Sequence, residues 1–199
     1  MAAASQRFGP FSMRLLGISG SLRAASTNTA ALRAASLLAP AGCAIVLSDA
    51  PARLPPFNPD RDGDDLPPPV TAFRAAIAAA DGLLIAAPEY AHGVSGVLKN
   101  ALDWLVAGSE FPEKPVALIN TSPRATLAQA QLRETLLTMA GRVIDDAAVT
   151  LPLLGRDLDA AAIANDPALA TPLRAALDRL FAAIMAGREE PNDRSPGSG

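Results

Sequence analysis

The sequence predicts a doubly wound α/β domain: a five-stranded parallel sheet with helices on both faces. Three observations carry that expectation. Short apolar runs alternate with longer stretches of helical periodicity, the pattern of a parallel sheet covered by helices. Four of those runs are nearly continuous rather than alternating, which suits strands buried on both sides. The length, 199 residues of which half are hydrophobic, is that of one such domain with a substantial core.

The strands expected in chain order are Met13–Ile18, Cys43–Leu47, Gly82–Ala87, Val116–Asn120 and the less regular Val143–Thr150. Between them lie helical stripes. Ala31, Leu32, Ala35, Leu38 and Ala39 form the first, which Pro40 ends. Val70, Phe73 and Ile77 follow the helix-opening Pro67–Pro69. Val97, Leu98, Ala101, Leu102 and Leu105 form the third, and Leu132, Leu136, Met139 and Ala140 the fourth. The last has Thr171 as its cap, Pro172 in its first turn, and Leu173, Leu177, Leu180, Phe181 and Ile184 on one face. The expected organisation is a flexible extension over residues 1–12, one domain over 13–187 and a disordered tail over 188–199.

In a sheet of this kind the ligand sits beyond the carboxyl ends of the strands. The segments to inspect are therefore Ser19–Asn28, Ser48–Leu66, Pro88–Ser95, Thr121–Arg124 and Leu151–Asp166. A net charge of -3 and few aromatics argue against nucleic acid as a partner. No run is long and apolar enough for a membrane span, and a single cysteine, Cys43, excludes an intramolecular disulfide. The expected setting is cytoplasmic.

The first loop, Gly17 to Asn28, leaves a strand and opens a helix. Free N–H groups and the helix dipole favour an anion there. Ser21, Ser26, Thr27 and Asn28 add side-chain donors and Arg23 a fixed cation, a density suited to a terminal phosphate monoester. The loop lacks Gly-x-Gly-x-x-Gly and Gly-Lys-Ser/Thr, so neither a dinucleotide crevice nor a nucleotide-hydrolysing P-loop is supported. Capping of the helix by Ser26 or Asn28 is the plainer alternative.

The third loop and its helix run Pro88-Glu89-Tyr90-Ala91-His92-Gly93-Val94-Ser95-Gly96-Val97-Leu98-Lys99-Asn100-Ala101-Leu102-Asp103-Trp104. Together the two segments resemble the NADPH-dependent FMN reductase family. That family carries Gly-Ser-Leu-Arg-x-x-Ser-x-Asn after its first strand. After its third it carries Pro-Glu-Tyr-Asn-x-Ser-x-Pro-Gly-x-Leu-Lys-Asn-Ala-Ile-Asp-Trp. The resemblance spans about Met13 to Met185 and implies a flavodoxin-like fold.

By that resemblance, Ser21, Arg23, Ser26 and Asn28 hold the phosphate of FMN, with Thr27 a further donor of the same loop. Pro88, Glu89 and Tyr90 run along its ring, Gly93 stands near phosphate and ring, and Thr121, Ser122 and Arg124 close the other edge. The chain departs from the family at Ala91, in place of Asn, and at Ser95, in place of Pro, which is expected to loosen the helix entry. The implied activity takes hydride from NADPH or NADH and passes it to a small-molecule acceptor (flavin, quinone or azo compound) by a ping-pong mechanism. No catalytic side chain and no metal are required. The alternative is an electron carrier or FMN-binding sensor without turnover of its own. His92 reads either as a flavin contact or as an exposed loop residue, and Asp145 and Asp146 as a strand pair facing opposite ways. Trp104 and its helix read either as core alone or, by the resemblance, as the interface of a homodimer or homotetramer.

Overall fold

A computed structural model describes residues 13–63 and 65–189. Its central sheet is parallel, with β1 (Met13–Ser19), β2 (Cys43–Ser48), β3 (Gly82–Ala86) and β6 (Pro115–Asn120) in the order β2-β1-β3-β6. The expected fifth strand is two short pieces. β7 (Arg142–Val143) pairs with the start of β6 and β8 (Val149–Thr150) with its end. The segment between them, Asp145–Ala147, is a 3-10 turn, so Asp145 and Asp146 are not a strand pair. Arg133 draws Asp145 outward with two hydrogen bonds of 2.7 and 2.6 Å, and the Asp146 carbonyl accepts one from Arg179. A small hairpin, β4 (Glu89–Tyr90) with β5 (Gly93–Val94), stands apart from the sheet.

Helices cover both faces, and strand alternation decides which residue serves which. Leu15, Leu84, Ala117 and Ile119 face a core shared with α1 (Thr27–Leu37), α5 (Ala160–Asn165) and α6 (Pro167–Glu189). Leu16, Ile18, Leu83, Ile85, Val116 and Leu118 face a core shared with α2 (Pro68–Ala79), α3 (Gly96–Asp103) and α4 (Leu127–Thr138). Because both faces are covered, hydrophobic residues are needed at every position of the central strands, hence the continuous runs.

Three boundaries differ from the sequence reading. α5 is an additional short helix, capped by Asp159, whose carboxylate accepts from the Ala162 N–H at 2.8 Å. α6 begins at Pro167, not Thr171, because Pro167 supplies the first-turn φ and Asp166 accepts from the Ala168 N–H. Pro172 therefore lies inside the helix, where it lacks the N–H that would bond the Ala168 carbonyl. The helix also runs through Arg188, which pairs with Asp81, to Glu189.

Trp104 is wholly buried within its own chain, which removes it as an interface residue. Its indole N–H donates to the Pro55 carbonyl at 2.8 Å and its ring meets Phe57 edge to face at 5.0 Å. Asn100 clamps the same segment, accepting from the Phe57 N–H at 2.7 Å and donating to the Pro55 carbonyl at 2.9 Å. The Asn and Trp of the α3 motif thus tie down the long 49–67 connection. A half-buried pair, Arg74 with Asp62 at 2.7 Å, holds its far end.

Candidate active site

The order in which strands join the sheet reverses at β1: β2 lies on one side of it, while β3 and then β6 lie on the other. A crevice forms at such a point because the flanking connections leave in opposite directions. Here the loops leaving β1, β3, β6 and β8 enclose a cavity of about 440 Å3. Ser21, Arg23, Ser26, Thr27, Asn28, Pro88, Glu89, Tyr90, Thr121, Ser122 and Arg124 border it. Gly93 does not, being drawn back into the hairpin strand β5. The Ser48–Leu66 connection is also away from the cavity: it follows the edge strand β2 and is fastened beneath α3.

The first loop is held by its own polar groups. Ser26 caps α1, its hydroxyl oxygen accepting from the Thr29 N–H at 3.2 Å, which leaves its own O–H proton available. Thr121 donates to the Asn28 carboxamide oxygen at 3.1 Å and lies 3.4 Å from the Thr27 hydroxyl, joining the β1 and β6 loops. Ser21, Ser26, Asn28 and Thr121 are all buried, yet each keeps an atom on the cavity wall. The N–H groups of Thr27 and Asn28 belong to the first turn of α1 and have no helical carbonyl to bond.

Ser95 tightens this arrangement. Only 2% exposed, it donates a 2.6 Å hydrogen bond to the Gly20 carbonyl, while the Gly20 N–H donates to Ala86. The loops leaving β1 and β3 are thereby fastened together, so the departure from proline adds a tie where a looser entry was expected. Gly20 is the residue that permits it: a Cβ there would lie 2.9 Å from both the Ser95 hydroxyl and the Ala87 methyl.

The opposite wall is more open. Tyr90 is 54% exposed, and Ala91 and His92 occupy the left-handed region with φ of 49° and 63°, the two central residues of a tight hairpin. Asn tolerates that region far better than Ala, so Ala91 carries strain. Glu89 anchors the base, accepting from the Ala128 N–H at the start of α4 at 2.9 Å and pairing with His92 at 3.1 Å. Those contacts, the Ala128 N–H foremost, hold its carboxyl below the usual carboxylate range. His92 itself is an exposed loop residue, turned to Glu89 and absent from the cavity wall.

Leu154, Gly155, Arg156 and Asp157, from the connection after β8, complete the cavity, with Asn120 and the alanines 25, 87 and 125. The sequence places Leu151–Asp166 beyond a strand end, but Gly155, which takes a φ of 74°, reads there simply as a turn residue. Three guanidinium groups, of Arg23, Arg124 and Arg156, thus meet two carboxylates, of Glu89 and Asp157, one already engaged by a helix N-terminus. Buried hydroxyls, free first-turn N–H groups and surplus positive charge are a donor set fitted to a phosphate.

A profile described as NADPH-dependent FMN reductase matches residues 13–153. The chain belongs to the NADPH-dependent FMN reductase family. It is 46% identical over 130 residues to an NAD(P)H-dependent FMN reductase of Pseudomonas aeruginosa, covering 63% of this chain and 70% of that one. A 2-hydroxy-1,4-benzoquinone reductase of a Burkholderia species is 40% identical over 127 residues, 61% of this chain and 68% of its own. Among solved structures, the flavoenzyme NAD(P)H:(acceptor) oxidoreductase FerB of Paracoccus denitrificans superposes with a TM-score of 0.69 at 28% identity, over 87% of this chain and 98% of that one. As a family member the chain is an FMN-dependent oxidoreductase that draws on NAD(P)H, with a flavodoxin-like fold. Among the described residues no group of His, Cys, Asp or Glu is arranged to hold a metal ion, and no helix is long and apolar enough to cross a membrane.

Proposed function

We propose that the phosphate of FMN sits on Ser21, Arg23, Ser26, Thr27 and Asn28. Its ring lies between the Pro88–Tyr90 segment and the Thr121–Arg124 loop, and the electrons taken from NAD(P)H go to a planar apolar acceptor of the quinone class. The observation that carries this reading is the single cavity joining a phosphate-type donor set to the exposed faces of Tyr90 and Leu154. Bound there, FMN supplies hydride acceptance and electron delivery, chemistry no side chain of the cavity offers. The chain positions and tunes. Ser95 and Thr121 fix the loops that frame the cavity; the backbone of Thr121–Arg124 would face the ring edge, and Arg124 would offset negative charge there. One open mouth serves both substrates in turn, which supports a ping-pong order. The quinone class is further supported by the name of the Burkholderia relative.

Stopped-flow mixing of the FMN-loaded protein with NADPH and with NADH, followed by a benzoquinone, is the test. Bleaching faster than that of free FMN, then recovery with quinone and parallel double-reciprocal lines, is the expected result. Protein that binds FMN but does not accelerate bleaching is a carrier or sensor.

A homo-oligomer and a cytoplasmic setting belong to the same proposal. Support for association is exposed apolar surface: Val106, just past the end of α3, is 63% exposed, and Leu137 on α4 is 40% exposed. Val106→Glu tests it by sedimentation velocity, with dissociation expected, whereas Trp104→Glu would bury a carboxylate and test folding instead. The single thiol, Cys43, is pushed up to about 11 chiefly by burial, so it is inert near neutral pH and suited to a reducing compartment.

A further inference from the structure

Beside the FMN cavity, past Ala25, Ser26 and Thr27, lies a second cavity of about 620 Å3 between α1 and α5. The two share a wall: Arg156 and Asp157 border both. Ala25, Ser26 and Thr27 are shared as well, but Arg33, Leu37 and residues 158–161 lie outside the FMN reading, and their position beyond the phosphate loop is where a ligand longer than FMN would continue.

Its walls combine three chemistries. Leu37, 63% exposed on α1, and Leu158 opposite supply apolar surface on two sides, room for a flat heterocycle. Arg33 and Arg156 supply guanidinium groups, which take phosphate bidentately and also stack on rings. Arg33 makes no hydrogen bond or ion pair with the described residues, and Arg156 is steadied by Asp166 at 3.1 Å. Two carboxylates are also present. Asp159 is spent capping α5, whereas Asp157 points no hydrogen bond at the described residues and can accept from ribose hydroxyls.

We propose that this second cavity is an adenosine-phosphate subsite, receiving the adenosine half of the nicotinamide donor while its nicotinamide lies at the FMN cavity. The proposal rests on the FMN reading for its neighbour but is measured separately. The same chemistry is present in the adenosine half of FAD, so the assay has an arm for each source.

The probe is 2′,5′-ADP, titrated calorimetrically into the FMN-loaded wild type and into Arg33→Ala, an exposed substitution distant from the FMN wall. Binding by the wild type, weakened about tenfold or more in the variant with FMN affinity unchanged, is the expected result. A matching rise in KM for NADPH at constant kcat assigns the adenosine to the donor. Loss of FAD affinity with KM for NADPH unmoved instead overturns the donor assignment and gives the cavity to FAD. No binding of 2′,5′-ADP, or binding equally strong in Arg33→Ala and Arg156→Ala, overturns the subsite altogether. Failure of the wild type to bind FMN in its own titration strikes the FMN reading alone.

Discussion

The loop after β1 and the hairpin after β3 face each other across the same cavity, yet they are built in opposite ways. The first is buried and cross-linked: Ser26 caps its helix, Thr121 and Asn28 bond across to β6, and Ser95 holds Gly20. The second exposes Tyr90 and places Ala91 and His92 in the left-handed region, with Glu89 and one bond from the Val94 N–H to Gln131 as anchors. The contrast separates two tasks. A cofactor that stays bound needs groups fixed before it arrives, because binding then costs little ordering entropy. Substrates that come and go are served by a wall with few constraints.

On that division, substitutions in the first loop change FMN affinity and those at the hairpin tip, Ala91 and His92, do not. The largest effect is expected for Arg23→Ala. An exposed guanidinium on a phosphate is worth about 1.5–3 kcal/mol, or roughly a tenfold to hundredfold loss of FMN affinity by fluorescence titration. Circular dichroism should be unaltered, since Arg23 has no side-chain partner among the described residues. Riboflavin, lacking the phosphate, should bind wild type and variant alike.

Ser95→Ala comes next. It leaves the Gly20 carbonyl without its donor in a buried place, a cost of about 1–3 kcal/mol shared between denaturant stability and FMN affinity. Ser95→Thr should recover most of the loss, and Ser95→Pro, the family residue, should not, since it carries no donor. An unaffected Ser95→Ala would show that the two loops are aligned by packing alone.

Ala91→Gly sharpens the other side of the comparison. Relief of the left-handed alanine should raise stability by about 0.5–1 kcal/mol, a few degrees in Tm by calorimetry, with FMN affinity unchanged. The smallest effects are those of the exposed imidazole: His92→Ala should leave FMN binding as it is. The Glu89 carboxyl is depressed in the folded chain, so its stabilising contribution is complete above the ordinary carboxylate value of 4.5. It is lost as pH falls from there through the depressed value. Urea midpoints between neutral and acid pH should show this slope in the wild type and a smaller one in Glu89→Gln, where Asp145, held low by Arg133, still contributes.

Features that repeat locally were legible in the sequence. The central strands and the α2 stripe of Val70, Phe73 and Ile77 follow from periodicity alone, and all three stripe residues are buried. The walls of the cavity followed from donor-rich loops at strand ends. What stayed hidden depends on contacts distant along the chain. The choice between core and interface for Trp104 stayed open because nothing in the sequence says that Pro55, 49 residues earlier, returns to accept its N–H. Ser95 looked like a lost proline because its partner, Gly20, is 75 residues away. The fifth strand broke where Arg133 and Arg179, both on other elements, bind Asp145 and Asp146.

The staple between α3 and the 49–67 connection gives the chain an internal optical reporter. Trp104 is its only tryptophan, enclosed by Phe57 and bonded to Pro55. Indole emission therefore reads one event, the docking of that connection, with no second fluorophore of its kind to average against. A blue-shifted band marks the seated segment and a red shift its release. Docking can thus be followed in the flavin-free protein, through a urea gradient or on a millisecond mixing scale, independently of the absorbance changes that report turnover.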